Sequence, residues 1–314
     1  MAVQVTDHRR PDTRAREEID TVFILGPARS GTTLLYKGLC LHPDVAFISN
    51  WSARFPRLPV VAVLNRAARR LPDRAKHTWF SGGSNAYVYG EPRRLVDRMF
   101  PAPVEGEPLY TRAGVERPGG PTPAGVDPRT ALPAAFDAIR SLGTGSCLVT
   151  KRIANNLRIP LLHQIFPGAR FVVLVRDGRA VADSLSRVDW WDRSFVWWYG
   201  GSPAQWRAEG KDPWEMCARN WVEELAAIEE GLGSVPEAQV VRLRYEDLVA
   251  EPASGFQRVA DLVGLREDAA WRASLAGLPI SDMNDGWRTR LEHGAAERIT
   301  EIQRRDLDRL GYVD

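Results

Sequence analysis

Gly26-Pro27-Ala28-Arg29-Ser30-Gly31-Thr32-Thr33 is the stretch on which the reading of this chain turns. The apolar run Val22-Phe23-Ile24-Leu25 precedes it, and the helix-like run Leu34-Leu35-Tyr36-Lys37-Gly38-Leu39 follows. Strand, glycine-rich turn and helix is the layout of a phosphate-binding loop. Gly26 and Gly31 stand at Walker A spacing, but Thr32 takes the place of the lysine that reaches the β- and γ-phosphates of a nucleoside triphosphate. That change argues against ATP or GTP hydrolysis. Backbone N–H groups and the helix N-terminus still hold an anion, and Arg29 adds a fixed positive charge. The loop therefore points to a nucleotide whose anionic group is not a triphosphate.

A second landmark agrees. Arg170-Phe171-Val172-Val173-Leu174-Val175-Arg176 reads as a buried parallel strand ending in arginine, because its apolar run does not alternate with polar residues. Asp177-Gly178-Arg179 makes the turn, and Ala180 to Arg187 reads as helix. Ser184 falls about two helical turns beyond Arg176. An arginine at a strand's carboxyl end and a serine on the next helix can grip one phosphate from two sides.

These landmarks lie in a chain of 314 residues with 44% apolar and 26% charged residues, ordinary for a globular protein. A net charge of +2 gives no sign of a nucleic-acid-binding surface. Cys40, Cys147 and Cys217 lack CxxC spacing and read as free thiols in a reducing compartment. The five scattered histidines form no HExxH, so no metal site is expected. No apolar run is long enough to span a membrane, and the polar segment 1–20 lacks a signal-peptide core. A cytoplasmic location is expected.

Along the chain, residues 1–19 read as a loose arm and 20–314 as one α/β domain. Strands are expected at Thr21 to Leu25, Cys147 to Lys151, Arg170 to Val175 and Val240 to Tyr245. Helices are expected at Leu157 to Phe166, from Pro213 to about Leu232, from Pro252 to Val263 and from Glu297 to Leu310. The Cys147 strand, its helix and the Arg170 strand read as a right-handed βαβ unit. Residues 51–146 and 188–215 read as insertions on the substrate side. Within the first, 101–133 holds eight prolines and five glycines and reads as a long ordered loop or lid. The fold class is α/β: a P-loop-like three-layer arrangement with a central parallel sheet flanked by helices. Arg29, Lys151, Arg176 and Tyr245 then gather at carboxyl ends of strands, where such folds bind ligands.

The loop from Pro27 to Thr33 resembles the 5′-phosphosulfate loop of the PAPS-dependent sulfotransferases. Val175-Arg176-Asp177-Gly178-Arg179 with Ser184 is similar to their 3′-phosphate motif, and Arg244-Tyr245-Glu246-Asp247-Leu248 to the segment carrying a tyrosine near the adenine. The three occur in the family's order, and the arginine in the first loop resembles the bacterial, carbohydrate and tyrosylprotein branch. The resemblance implies a PAPS site made by Arg29, Ser30, Gly31, Thr32, Thr33, Arg176, Ser184 and Tyr245, with PAP as product and no metal. It implies transfer of a sulfuryl group to a hydroxyl or amine of a small-molecule, sugar or lipid-like acceptor. Lys151 occupies the position of a lysine near the reaction centre. With Arg29 it is the candidate for stabilising charge on the oxygen that leaves sulfur.

The general base does not follow the resemblance. Ile153 stands where the cytosolic enzymes have histidine, and Asn50 where tyrosylprotein members have glutamate. Glu91 and His77 are the remaining candidates. Asn155 and Asn156 are alternative acceptor-orienting or turn residues, and His163 reads as packing. Between Asp189 and Trp221 lie Trp190, Trp191, Trp197, Trp198, Tyr199, Trp206, Trp214 and Trp221. Most suit core packing, and a minority suit the wall of a pocket for a bulky apolar or glycosylated acceptor. Two other readings stay open: a small-molecule kinase with a degenerate Walker A loop, and a catalytically inactive PAPS-binding homologue.

Overall fold

The computed structural model describes residues 20–80, 95–118, 120, 125–278, 280 and 282–313. The arm 1–19 and the base candidate Glu91 lie outside the described residues. Five strands, β1 (Thr21–Leu25), β2 (Val45–Phe47), β3 (Cys147–Lys151), β4 (Arg170–Val175) and β5 (Val240–Arg244), form one parallel sheet in the order β2-β3-β1-β4-β5. Alternate side chains of the central strands enter two cores. Val22, Ile24, Val172 and Leu174 pack on one face with Leu35, Leu39 and Phe256. Phe23, Leu25, Phe171 and Val173 pack on the other with Phe136, Leu162 and Trp221. Both faces are covered by helices, which is why β1 and β4 read as continuous apolar runs. Each fully buried side chain of this kind contributes about 1.5–3 kcal/mol.

Several local expectations change. β2, only three residues long, intervenes before the Cys147 strand. β3 and β4 are parallel, but β1 lies between them, so their crossover passes over the central strand. The expected Leu157–Phe166 helix divides into a 3₁₀ turn at Ile153–Leu157 and a helix at Ile159–Ile165. Arg158, with non-helical φ −125° and ψ 10°, separates the two, and Pro160 stands in the first turn of the second, where proline is tolerated. The stretch 101–133 is not all loop. It contains the helix Glu107–Arg112 and the start of the helix Pro128–Gly143, which opens on Pro128 and carries Pro133 in its interior. The C-terminal helix begins at His293, four residues earlier than expected.

The parallel strands all end at one edge of the sheet. Because β3 and β4 flank β1 on opposite sides, the chain after β1 opens onto the crevice where such sheets bind ligands. Gly26 follows β1 there, Lys151 ends β3, Arg176 follows β4 and Tyr245 follows β5.

The helix Thr32–Cys40, which carries the phosphate-loop end, is seated by close contact with the helix Pro252–Val263. A Cβ on Gly38 would lie 2.3 Å from the Phe256 ring, itself fully buried. Gly38→Ala is therefore expected to lower stability by about 1–3 kcal/mol from overpacking, offset in part by the roughly 1 kcal/mol helix preference for alanine. The urea midpoint measures this, and an unchanged or raised midpoint would show that the two helices can separate freely.

Candidate active site

The loop after β1 is shaped by backbone constraints. Gly26 has φ 150° and its absent Cβ would sit 2.3 Å from the Leu174 carbonyl oxygen, so the chain crosses directly over β4. Arg29 takes φ 71°, uncommon for a residue with a side chain. Gly31, at φ 89°, caps the helix Thr32–Cys40 without any side-chain hydrogen bond, and a Cβ there would strike the Tyr245 ring at 2.5 Å. Leu34 N–H donates to the Gly31 carbonyl at 2.9 Å, so it is the Thr32 and Thr33 N–H groups that the helix end offers a ligand. Ser30 Oγ is buried and has no hydrogen-bond partner among the described residues. A buried hydroxyl left unmatched beside an uncapped helix fits an anion at this place.

Arg29 reaches across to the helix Gly178–Ser186, where its Nε donates to Ser184 Oγ at 3.0 Å. Arg176 donates to Asn284 Oδ1 at 3.2 Å, to the Arg29 carbonyl at 3.2 Å and to the Met283 carbonyl at 2.7 Å. Its guanidinium also lies 4.4 Å from the Tyr245 ring centre. Three of its five N–H donors are thus engaged among the described residues, leaving two to offer a ligand. Glu246 is half-buried beside this turn. It accepts the Asp177 backbone N–H at 3.1 Å and the Tyr312 hydroxyl at 2.9 Å, tying the turn after β4 to the chain's C-terminal tail. Arg29, Gly31, Thr32, Thr33, Arg176, Ser184 and Tyr245 all line one cavity.

Lys151, only 7% exposed at its side chain, forms an ion pair with Glu105. The other Glu105 oxygen accepts the Ile153 backbone N–H at 3.4 Å. Glu107 takes the neighbouring Arg152 in a two-point contact, with both bonds at 2.7 Å. Gly106 makes this double clip possible: φ is 71°, and a Cβ would meet Ile48 at 2.6 Å. Burial opposes ionisation of Glu107, but the Arg152 hydrogen bonds and the charges of Arg152 and Arg117 outweigh it and hold its carboxyl below the usual range. Arg152 has no exposed side-chain surface and stacks 4.6 Å from the Tyr110 ring centre, so its charge is structural. Glu105 faces the cavity beside Lys151.

Behind Lys151, Asn156 joins three groups. Its Nδ2 donates to the Gly26 carbonyl at 3.0 Å and to Glu224 Oε2 at 2.6 Å, and its Oδ1 accepts the Gly26 N–H at 3.2 Å. Glu224 comes from the helix Pro213–Leu232 and reaches the cavity wall. Burial pushes its carboxyl up to about 7, against the opposing influence of the Asn156 hydrogen bond and the Lys151 charge. The cavity, about 1030 Å³, continues past Ile153 and Leu157 to Trp190, Trp191, Phe195 and Trp197. From the tryptophan-rich segment, Trp221 and Trp206 are core instead. The Trp221 indole donates to the Arg176 carbonyl at 3.2 Å and the Trp206 indole to the Asp212 carbonyl at 2.8 Å.

Other sequence candidates lie elsewhere. His77 is exposed on the helix Pro72–Phe80 and does not line the cavity. Asn50 has its carboxamide engaged by the Arg98 and Phe100 carbonyls and the Ala102 N–H. Asn155 is buried against Tyr110, and His163 packs 6.3 Å from the Phe171 ring centre. Sequence reasoning missed Glu105 and Glu224. Glu105 sits in a proline-rich stretch that gave no periodic signal; it is placed by Val104 N–H donating to the Ile48 carbonyl at 2.9 Å. Glu224 occupies a helix position whose inward face the sequence could have flagged as a buried carboxylate.

A model of the sulfotransferase family matches residues 21–269. No curated protein matches this chain. Among solved structures, sulfotransferase STF9 from Mycobacterium avium aligns at 13% identity and a TM-score of 0.54, covering 93% of this chain and 76% of that one. A sulfotransferase from Alicyclobacillus acidocaldarius aligns at 15% identity and a TM-score of 0.48, covering 93% and 94%. Retinol dehydratase in complex with retinol and PAP aligns at 14% identity and a TM-score of 0.39, covering 91% and 81%. The first of these likenesses shows the fold.

Glu224 also yields a pH dependence. Its carboxyl moves from an ordinary value of 4.5 to about 7 on folding, so the folded chain binds this proton more tightly than the unfolded chain. The contribution to stability is full below about 4.5, falls as pH rises and is lost above about 7. Glu224→Gln cannot ionise. Relative to the wild type it is expected to gain up to roughly 3 kcal/mol between about pH 4.5 and pH 8. Urea titrations of both proteins across that range measure the difference, and a constant offset would show that Glu224 ionises normally in the fold.

Proposed function

Because the chain belongs to the sulfotransferase family, we propose that it moves a sulfuryl group from PAPS to a hydroxyl of a bulky apolar or glycosylated small molecule. The observation that carries this reading is a single cavity. It runs from the uncapped loop and the Arg176–Ser184 pair, past Lys151 and Glu105, to an aromatic wall. The unmatched Ser30 hydroxyl and the Thr32 and Thr33 amides of the helix end suit the 5′-phosphosulfate. The remaining Arg176 donors and Ser184 suit the 3′-phosphate, and the Tyr245 ring suits the adenine. Trp190, Trp191, Phe195 and Trp197 offer an acceptor broad apolar contact.

In this reading the acceptor oxygen attacks sulfur, and the bond from sulfur to the phosphate's bridging oxygen breaks. Glu105 receives the acceptor proton, which removes the need for the histidine or glutamate of other branches. Lys151, released from full pairing as Glu105 becomes neutral, donates to the leaving oxygen. Arg29 adds fixed positive charge from the other side. The products are the sulfated acceptor and PAP, and the proton passes from Glu105 to solvent. A lysine and carboxylate held together before substrate arrives keep reorganisation small when charge moves.

Two variants test the chemical roles. Glu105→Gln is expected to lower turnover by about 10²–10⁴-fold, the range for loss of a general base. Lys151→Ala is expected to lower it by roughly 10² or more. Both should bind PAP within a few-fold of wild type, measured by calorimetry. Near-normal transfer by Glu105→Gln across a panel of phenols and alcohols would remove Glu105 from the mechanism.

The nucleotide assignment has a separate test. Arg176→Ala should weaken PAP by about 2–3 kcal/mol through loss of a charge-assisted contact. Its binding of AMP, which lacks the 3′-phosphate, should change far less. Equal weakening of both nucleotides would show that Arg176 only supports the loop, and failure of the wild type to bind PAP at all would overturn the whole reading.

A further inference from the structure

Ten large apolar residues are exposed among the described residues, and six of them fall between positions 55 and 71: Phe55, Leu58, Val60, Val63, Leu64 and Leu71. This is not a scatter of single surface residues, which is normal and needs no explanation. The segment runs through the helix Asn50–Arg54, the 3₁₀ helix Pro59–Asn65 and the helix Arg66–Arg70. Seven residues is long for a 3₁₀ helix, and in such a helix side chains three apart lie in one row. Ala62 and Asn65 form the inward row, both almost fully buried. Val60 and Val63 form a second row, which faces out with Val60 63% exposed. Leu64, 43% exposed, continues the outward surface. The packing is thus inverted: small and polar residues go in, and valine and leucine go out.

Arginines flank and interrupt this apolar stretch along the chain. Arg54, Arg57, Arg70 and Arg74 are exposed, whereas Arg66 and Arg69 turn to the Leu142 and Val45 carbonyls. Asp73 is the sole acid between positions 54 and 74. Exposed apolar rows flanked by arginines match an amphipathic element lying in the interface of an anionic bilayer. A second copy of the same face would oppose its arginines to those of the first, with Asp73 alone on each copy to offset them. We propose that the Arg54–Arg74 face docks this protein on the surface of an anionic phospholipid bilayer, with Leu58, Val60, Val63 and Leu64 entering the headgroup boundary and the arginines at the lipid phosphates.

The test uses the full chain and vesicles of phosphatidylcholine alone or with about 30% phosphatidylserine, the anionic lipid that attracts basic segments. Co-sedimentation is expected with the anionic vesicles, falling at least about 5-fold at high salt as the surface charge is screened. Val60→Ser/Leu64→Ser keeps every charge and should lower the affinity about 10-fold or more, because the apolar insertion is lost. Arg57→Glu/Arg70→Glu should lower it by a similar factor. A circular dichroism spectrum and urea midpoint matching the wild type establish that each variant is folded. Three outcomes would overturn the proposal. One is no binding to anionic vesicles at low salt. Another is binding that survives Val60→Ser/Leu64→Ser, which would assign it to other basic residues. The third is a dimer in sedimentation velocity that the same variant dissolves, which would give the face to a second copy.

Discussion

The two hydrogen bonds between the Asn156 carboxamide and the Gly26 backbone fix the point from which the site is laid out. Gly26 is the first residue beyond β1. Its N–H and C=O are both taken by Asn156, at 3.2 and 3.0 Å, while the Leu174 carbonyl presses on its other side. The loop therefore leaves the sheet in one direction, and Gly31 arrives against the Tyr245 ring with the following helix end uncapped. Asn156 is itself held by Glu224, whose carboxylate is costly to bury and is stabilised by that contact and by the charge of Lys151. A polar network of this kind is worth keeping only when each member is matched. The three groups meet that condition, so the loop's geometry is set before any nucleotide arrives.

The same economy of placement governs the cations. Lys151 and Arg152 are consecutive, and strand alternation sends them to different surroundings. Arg152 is engaged by Glu107, Asn155 and Tyr110, and it holds the Glu107 helix to the end of β3. Lys151 is left with Glu105, a residue that keeps access to the cavity. Removing one partner of a buried pair strands a charge, which costs several kcal/mol. The Gly106 turn between the two glutamates prevents that by delivering both at once. A structural ion pair and a chemically available one are thus built from a single three-residue clip.

Much of this was legible in the sequence, because the decisive elements are local. The strand before Gly26, the strand ending at Arg176 and the helix after Asp212 each carry their own apolar pattern, cap or proline signal. The loop, Arg176, Ser184 and Tyr245 fall together because parallel strands end at one edge. What was not legible depends on contacts distant in sequence. β2 is too short to show a period, and it is a strand because β3 lies beside it. The helix Glu107–Arg112 hides among prolines, and its Gly106 start is set by Ile48. Glu105 meets Lys151 across 46 positions, and Glu224 meets Asn156 across 68. Neither pairing has a local sign. His77, by contrast, had only its residue type to recommend it, and the fold leaves it at the surface of a different helix.

The outward apolar rows at 58–64 follow from how the sheet's edge is closed. β2 pairs with β3 on one side and has an open edge on the other, which in an exposed strand invites pairing with another chain. Here side chains cover it: Asn65 Nδ2 donates to the Phe47 carbonyl at 3.0 Å, and Arg69 donates to the Val45 carbonyl at 3.3 Å. For a polar side chain to reach those carbonyls, the row containing Asn65 must face the sheet. The three-residue repeat then turns Val60, Val63 and Leu64 away from it. Closing the edge accounts for the direction in which these residues point, but not for their being apolar, since serine or lysine at 60, 63 and 64 would close it equally well. Their identity asks for a second cause, and flanking arginines with almost no acid indicate one that is both apolar and negatively charged.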